Sequence, residues 1–235
     1  MSGREKAGSG GQDAGFVKEA FAKIADRYVV TNHVLSAGTD ILWRKKVGRI
    51  VSEWEPKRVL DVATGTGDLA LEIQKACPNA EVIGTDFCEE MLAHATRRGV
   101  SRTMVADGTA LPFEDQEFDV VTVAFGLRNM ADWGKGLREM ARVAKQVLVL
   151  DFSTPQGPLE KPYCFYLNKV LPKIAGALTG QGPAYEYLAG SIEKFPSGAA
   201  MQELFEENGL VDTRWIPLSG GIASIYTGRS SQTVS

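Results

Sequence analysis

Acidic residues and glycines recur at spacings that suit a cofactor site. Asp61 lies in a short apolar run, Gly65 and Gly67 follow it, and a helical pattern resumes at 68–76. Glycine allows positive φ and lets a ligand approach the main chain closely, while the helix N-terminus offers unpaired N–H groups. A strand, a glycine turn and a helix in this order predict a cradle of the kind that binds nucleotides.

The cradle alone does not identify the cofactor. Gly65, Gly67 and Ala70 also satisfy a loosened dinucleotide fingerprint, so a nicotinamide-dependent oxidoreductase stays an alternative. A carboxylate at Asp61, aimed into the cradle, would repel a pyrophosphate but attract a ligand with a cationic head. S-adenosylmethionine has such a head in its sulfonium and amino groups. The other interpretation of this segment is a strand-to-helix turn without a ligand, in which Asp61 caps nearby N–H groups.

Two further acids follow later predicted strands. Asp86 ends an apolar run and lies 21 residues (86 − 65) after Gly65, the spacing at which α/β cofactor folds place a carboxylate for ribose hydroxyls. Asp107 follows the short run 104–106 and is expected near the adenine. The predicted cofactor-binding set is therefore Asp61, Gly65, Thr66, Gly67, Asp86, Asp107, Gly108 and Ala124.

Alternating strands and helices would bring these residues to one edge of a sheet. Residues 118–124 form a nearly continuous β-branched run, typical of a central strand covered on both faces. The alternation predicts an α/β fold with a doubly wound, Rossmann-like, mostly parallel sheet, whose carboxyl edge holds the chemistry. Residues 211–218 and 222–226 predict a C-terminal antiparallel hairpin. We therefore expect a seven-stranded sheet with helical lid elements.

The chain is predicted to hold one domain between two tails. An apolar, aromatic stretch lies far from the predicted core strands, which favours a lid for an apolar substrate over ordinary helix packing. The predicted divisions are a flexible tail (1–15), a single domain (16–228) with N-terminal helices (16–55), a cofactor-binding core (56–152), a substrate lid insertion (153–200) and a closing helix and hairpin (201–228), and a second tail (229–235).

Composition limits the partners and the compartment. A net charge of −3 gives no reason to expect nucleic acid, and we interpret Arg44-Lys45-Lys46 as a solvated helix face. Three cysteines without a cluster at metal-ligand spacing suit a reducing cytosol and predict no metal site. Because no signal peptide and no apolar run of about 18 residues is found, we expect a cytoplasmic protein.

Several longer segments resemble a known family. With the glycine turn and the acids, they resemble the class I S-adenosylmethionine-dependent methyltransferases, and more narrowly the C-methyltransferases of quinone biosynthesis. The segments are NHVLSAGTDILWRK at 32–45, AFGLRN at 124–129, LVLDFSTP at 148–155, YEYLAGSIEKFP at 185–196 and SGGIASIYTG at 219–228. The resemblance covers about residues 16–228, and FGLRN is its most specific part. The Asn/Asp-Pro-Pro-aromatic motif of nitrogen-directed methyltransferases is missing from the fourth predicted strand.

The chain departs from that family at two places. Family members usually carry a Pro-Gly-Gly turn before the fifth strand, whereas Ala144-Lys145 here run directly into Gln146. This change shortens a loop opposite the active edge, so we expect it to affect folding more than chemistry. Members also often carry Tyr-Asp where this chain has Tyr28-Val29.

The resemblance implies C-methylation of a polyprenyl quinol with S-adenosyl-L-methionine as the cofactor. The expected substrate is demethylmenaquinol, and 2-methoxy-6-polyprenyl-1,4-benzoquinol is the alternative. Arg128 and Asn129 are predicted to be catalytic by stabilising developing phenolate charge, although a structural ion pair is the alternative for Arg128. Predicted substrate contacts are Tyr28, Asn32, Phe125, Tyr166 and Tyr185.

The substrate also predicts where the protein acts. A polyprenyl quinol dissolves in the bilayer, so we expect transient contact with the inner membrane surface, made by residues 158–180. The oligomeric state is open, with a homodimer as one option. A methyltransferase-like binding module without turnover is a further alternative, and the intact segment 125–129 argues against it.

Overall fold

The computed structural model describes residues 38–170 and 189–234 of the 235-residue chain. Its strands are β1 (Arg58–Val62), β2 (Glu81–Asp86), β3 (Arg102–Val105), β4 (Phe118–Ala124), β5 (Ala144–Phe152), β6 (Leu210–Leu218) and β7 (Ala223–Ser230). Its α-helices are α1 (Asp40–Ser52), α2 (Asp68–Ala76), α3 (Glu89–Arg97), α4 (Trp133–Val143), α5 (Glu160–Phe165) and α6 (Ala199–Glu207). The helix predicted before residue 38 lies outside the described residues.

The strands form one seven-stranded sheet in the order β3-β2-β1-β4-β5-β7-β6. The first five strands in sequence run parallel, and β7 runs antiparallel between β5 and β6. This confirms the predicted mostly parallel sheet with an antiparallel C-terminal hairpin. The strand order reverses between β1 and β4, where Leu60 pairs with Val121. Open α/β sheets bind their ligands beyond the carboxyl ends of the strands at such a point.

Apolar layers cover both faces of the sheet. Val59 and Val120 pack with α1 and α2 on one face, while Leu60 and Val121 pack with α4 and α6 on the other. The alternation follows from the two-residue period of a strand. Each of these fully buried side chains stabilises the fold by about 1.5–3 kcal/mol through burial. The carboxyl edge is therefore held between two packed layers.

Three strands have boundaries that differ from the predicted ones. β3 begins at Arg102 rather than at residue 104. β5 begins at Ala144, directly after α4 ends, so the connection that the missing Pro-Gly-Gly turn would occupy has no loop residue. β7 runs through Ser230, beyond the predicted strand end at residue 226, because Arg229 pairs with Val211 on β6.

Short helical pieces follow β5. They are a 3₁₀ turn (Gly157–Leu159), α5 and a π-helical segment (Tyr166–Val170). Leu167 is buried and Tyr163 packs against the core layer beside α1 and α2, whereas Leu159 and Phe165 are 55% and 65% exposed. In the described ranges, no helix combines the length and the apolar character that crossing a membrane requires.

Candidate functional site

The site lies where the chain leaves β1 and β4. Ala63 and Phe125 directly follow β1 and β4, with φ of +51° and +58°. Such angles are uncommon for residues with a side chain, and strained residues of this kind cluster at functional sites. The two loops approach closely, since a Cβ placed on Gly126 would lie 2.6 Å from the Cβ of Ala63. The sheet edge is therefore tightly built at its switch point.

The glycine turn between β1 and α2 has one closed side and one open side. Gly67 has φ +85°, and a Cβ there would lie 2.4 Å from Val100 Cγ2, so this glycine is required for packing. Gly65 has φ +56°, and a Cβ there would meet nothing nearer than 3.9 Å. The space over Gly65 is open to a ligand, beside the N-terminus of α2.

A small pocket with a cavity volume of about 40 Å³ opens beside this turn. The pocket reaches from α1 to the end of β4, and its walls include Arg44, Asp61, Thr66, Asp68, Ala124 and Phe125. Acidic, basic and aromatic groups therefore meet in one small space.

Asp61 is buried at the back of this pocket. Its Oδ2 accepts a 2.6 Å hydrogen bond from Thr64 Oγ1, and its Oδ1 accepts a 2.7 Å bond from Thr122 Oγ1. Burial raises the pKa of Asp61 to about 6, although both hydrogen bonds and the charge of Arg44 oppose the increase. The carboxylate thus joins β1, β4 and the glycine turn, and it makes the back of the pocket acidic.

The raised pKa of Asp61 predicts how stability depends on pH. The folded state binds a proton here between the ordinary pKa of 3.8 and a pH of about 6, so stability falls as the pH rises through that window. Relative to Asp61→Asn, the wild type should lose on the order of 3 kcal/mol between these limits. Urea unfolding of both proteins from about pH 4 to about pH 7 measures the difference. A difference that does not change with pH would contradict the prediction.

The other predicted acids lie along the same edge. Asp86 ends β2, where Oδ2 accepts a 2.9 Å hydrogen bond from the Gly65 N–H and Oδ1 a 3.0 Å bond from the Cys88 N–H. The carboxylate therefore fixes the glycine turn from the next strand. Asp107 follows β3 and is exposed, and its Oδ1 accepts a 2.8 Å bond from the N–H of Thr109. Asp107 does not line the pocket described above.

Gly108 and Ala124 occupy different parts of the site. A Cβ on Gly108 would lie 2.6 Å from Met130 Cε, the end of a flexible side chain, and 3.0 Å from Val62 Cγ1, so Gly108 packs closely against both residues. Ala124 ends β4 and lines the pocket. Asp61, Gly65, Thr66 and Ala124 thus lie in one pocket wall.

The two residues predicted to be catalytic both donate hydrogen bonds to the backbone carbonyl of Phe125. Arg128 Nη1 donates 2.7 Å and 2.6 Å hydrogen bonds to the Phe125 carbonyl and to Asp151 Oδ1. Asn129 Nδ2 donates a 3.1 Å bond to the same carbonyl. The Arg128 guanidinium also lies 5.4 Å from the centre of the Phe152 ring. Arg128 is 3% exposed, so its observed contacts support the strained end of β4, and a direct catalytic role stays a prediction.

The predicted substrate residues are only partly described. Phe125 lines the pocket, and Tyr166 is 38% exposed at the start of the π-helical segment. Tyr28, Asn32 and Tyr185 lie outside the described residues. Their contacts therefore stay predictions.

Sequence reasoning misplaced Arg44. It was interpreted as part of a solvated basic face, but its side chain is buried and lines the pocket, whereas Lys45 and Lys46 are exposed. The reason is helical phase, because the buried positions of α1 recur at three- and four-residue spacing. Arg44 lies between Trp43 and Val47 on that buried stripe, and this spacing could have revealed its position.

Several solved structures with a similar fold are methyltransferases. An S-adenosylmethionine-dependent methyltransferase from Thermotoga maritima aligns with a TM-score of 0.65 at 18% identity, over 91% of this chain and 99% of that chain. Another from Aquifex aeolicus aligns with a TM-score of 0.53 at 19% identity, over 76% of this chain and 86% of that chain. The fold of this chain is therefore the fold of the class I methyltransferases.

Sequence relatives define the family. The sequence profile of the ubiE/COQ5 methyltransferase family matches residues 8–230, and the chain belongs to that family. It is 42% identical to a demethylmenaquinone methyltransferase from Thermus thermophilus, covering 88% of this chain and 98% of that protein. It is 43% identical to a ubiquinone/menaquinone biosynthesis C-methyltransferase from Bdellovibrio bacteriovorus, covering 90% of this chain and 94% of that protein. The predicted family and enzyme class, an S-adenosylmethionine-dependent methyltransferase, are confirmed.

Proposed function

We propose that this protein transfers a methyl group from S-adenosylmethionine to a ring carbon of demethylmenaquinol, giving menaquinol. The names of its relatives support C-methylation in quinone biosynthesis. The observation that carries the proposal is the acid-lined pocket at the ends of β1 and β4, with Phe125 in its wall. A 2-methoxy-6-polyprenyl-1,4-benzoquinol substrate is the second candidate, since some relatives carry ubiquinone in their names. The nicotinamide alternative is not favoured by the family.

The pocket suits the methyl donor in its chemistry. When bound, the donor supplies an electrophilic methyl group on its sulfonium. The open side of Gly65 gives the donor access to the main chain, and buried carboxylates favour its cationic groups. The carboxylate of Asp86 lies next to the Gly65 N–H, so a ribose diol bound to it would lie beside the turn. The residues proposed to hold the donor are Asp61, Gly65, Thr66, Gly67, Asp86, Asp107, Gly108 and Ala124.

On the substrate side, the chain has to hold the ring and stabilise its oxygen. A ring carbon becomes nucleophilic as the ring hydroxyl loses its proton. Arg128 and Asn129 are proposed to stabilise the resulting charge, directly or through a water. Arg128 cannot readily act as the base, because a guanidinium keeps its proton up to about pH 12. By donating to the carbonyl of Phe125, both residues would also hold the backbone that follows β4 in place.

The substrate tail is proposed to require the membrane surface. Leu159 and Phe165 expose large apolar side chains just after the end of β5, and Tyr166 is partly exposed beside them. Apolar groups of this kind can enter the interface of a bilayer without spanning it. Residues 158–170 would then lie against the bilayer that holds the quinol, and the rest of the predicted contact, 171–180, lies outside the described residues.

The reaction is tested with the purified protein and reduced quinones. With S-adenosylmethionine, demethylmenaquinol in detergent or vesicles should gain one methyl group, detected by mass spectrometry of the product. 2-Methoxy-6-polyprenyl-1,4-benzoquinol is assayed in parallel. Faster methylation of this benzoquinol would assign the protein to ubiquinone synthesis, and no methylation of either quinol would overturn the proposal.

A further inference from the structure

Arg44 is a buried cation that the reaction described above does not use. It lies on α1, is 8% exposed, and forms an ion pair with the buried Asp40 one turn earlier. Its guanidinium carbon lies 5.5 Å from the centre of the Phe125 ring. Burying a charge is costly unless it is paired, and the ion pair with Asp40 offsets that cost. The pairing does not by itself explain why Arg44 lies in the pocket wall.

The pocket is otherwise acidic. Asp61 and Asp68 both line it, and Arg44 is the one basic residue in the part of its wall that is described. Burial raises the pKa of Asp68, but a hydrogen bond from Arg98 and the charges of Arg44 and Arg98 outweigh this effect and leave the pKa lowered. Two carboxylates and one guanidinium therefore face a common space.

Among the described residues, the partners of the Arg44 guanidinium leave it donor capacity for a ligand. An arginine side chain carries five N–H donors. Within the described residues, the hydrogen bond found for Arg44 runs from Nη1 to Asp40. The pairing with Asp40 and the contact with Phe125 hold the group in place, which lowers the entropy cost of a further bond. Arg44 is thus a fixed cation beside the open glycine turn.

We propose that Arg44 binds the carboxylate of the methionine moiety of the methyl donor, while Asp61 and Asp68 favour its ammonium group. This inference rests on the proposed function, because it assumes that the pocket takes the amino-acid end of S-adenosylmethionine. A zwitterion has one group of each sign, and the pocket wall presents the complementary pair. Arg44 would then select donors that carry a carboxylate. Asp40 acts as a positioning residue through its ion pair with Arg44.

The test compares two ligands that differ only in that carboxylate. S-adenosylhomocysteine and its decarboxylated analogue, 5′-(3-aminopropylthio)-5′-deoxyadenosine, are titrated by calorimetry into the wild type, Arg44→Met and Arg44→Lys. Arg44→Met should bind S-adenosylhomocysteine about 10–100-fold more weakly, the range for a hydrogen-bonded charged group. Its affinity for the analogue should stay within about 2-fold, since the analogue lacks the group that Arg44 contacts. Arg44→Lys should lose less affinity for S-adenosylhomocysteine than Arg44→Met does, because lysine keeps the charge but not the planar guanidinium.

The controls separate this inference from the proposed function. Lys45→Met removes an exposed cation from the same helix and should change neither affinity, and melting temperatures confirm that each variant is folded. Equal weakening of both ligands in Arg44→Met and Arg44→Lys would overturn the inference and assign Arg44 to packing, as would unchanged binding of S-adenosylhomocysteine. A wild type that binds neither ligand would instead contradict the proposed function itself.

Discussion

Arg128→Ala is expected to lower the free energy of unfolding by about 3–5 kcal/mol, because it leaves the carboxylate of Asp151 buried without its cation. Arg128 Nη1 lies 2.6 Å from Asp151 Oδ1, and the two side chains are 1% and 0% exposed. If Arg128 also stabilises the phenolate, kcat of the folded fraction should fall by about 10²-fold. Urea unfolding and turnover are measured on the same preparation.

A second variant separates the two effects. Arg128→Met combined with Asp151→Val removes both charges, so it should recover much of the stability while kcat stays low. Arg142→Ala is the matched control, since Arg142 forms ion pairs with Glu139 and Asp115 at the C-terminal end of α4. It should change stability but not kcat. If both the free energy of unfolding and kcat recover in the double variant, the role of Arg128 is structural alone.

Leu159→Gln combined with Phe165→Gln is expected to weaken binding to anionic vesicles by about 10–100-fold. Burying one such side chain stabilises by about 1.5–3 kcal/mol at most, and each is only partly available, at 55% and 65% exposure. Activity on a long-tailed quinol in vesicles should fall in parallel, while activity on a short-tailed, water-soluble quinol should not change. Vesicle sedimentation and product analysis measure the two effects.

Val105→Gln supplies the control for this pair. Val105 is 53% exposed, but it lies on β3 at the opposite end of the strand order from β6 and β7. Its substitution should leave vesicle binding unchanged. Equal binding by the wild type and the double variant would contradict the membrane contact and leave the long-tailed substrate to be delivered in another way.

Elements with strong local signals could be predicted from the sequence. α2 spans Asp68–Ala76 as predicted, because Gly67 in the left-handed region begins it and its apolar side chains lie on one face. β4 spans Phe118–Ala124 as predicted, since its β-branched residues are buried by both core layers. β1 with its glycine turn was equally clear. In each case the local sequence pattern and the packing of the whole fold favour the same secondary structure.

Contacts between distant residues could not be predicted in this way. Arg128 and Asp151 lie 23 positions apart, and neither has a neighbour that reveals the pairing. The basic run containing Arg44 has the same composition whether it is exposed or buried, so only the phase of α1 decides its role. Local patterns specify elements, whereas the charges in the candidate site depend on how those elements pack.

The place of β7 between β5 and β6 has a consequence for synthesis of the chain. β5 is a buried strand, and one of its two edges pairs with β7 from Gln146 with Arg229 to Phe152 with Ala223. The ribosome completes β5 long before β7 emerges, so this edge stays unpaired in the nascent protein. An open apolar edge invites aggregation and chaperone binding. A premature stop codon within β7 would therefore leave β5, an inner strand, without its partner, rather than remove only a strand at the edge of the sheet.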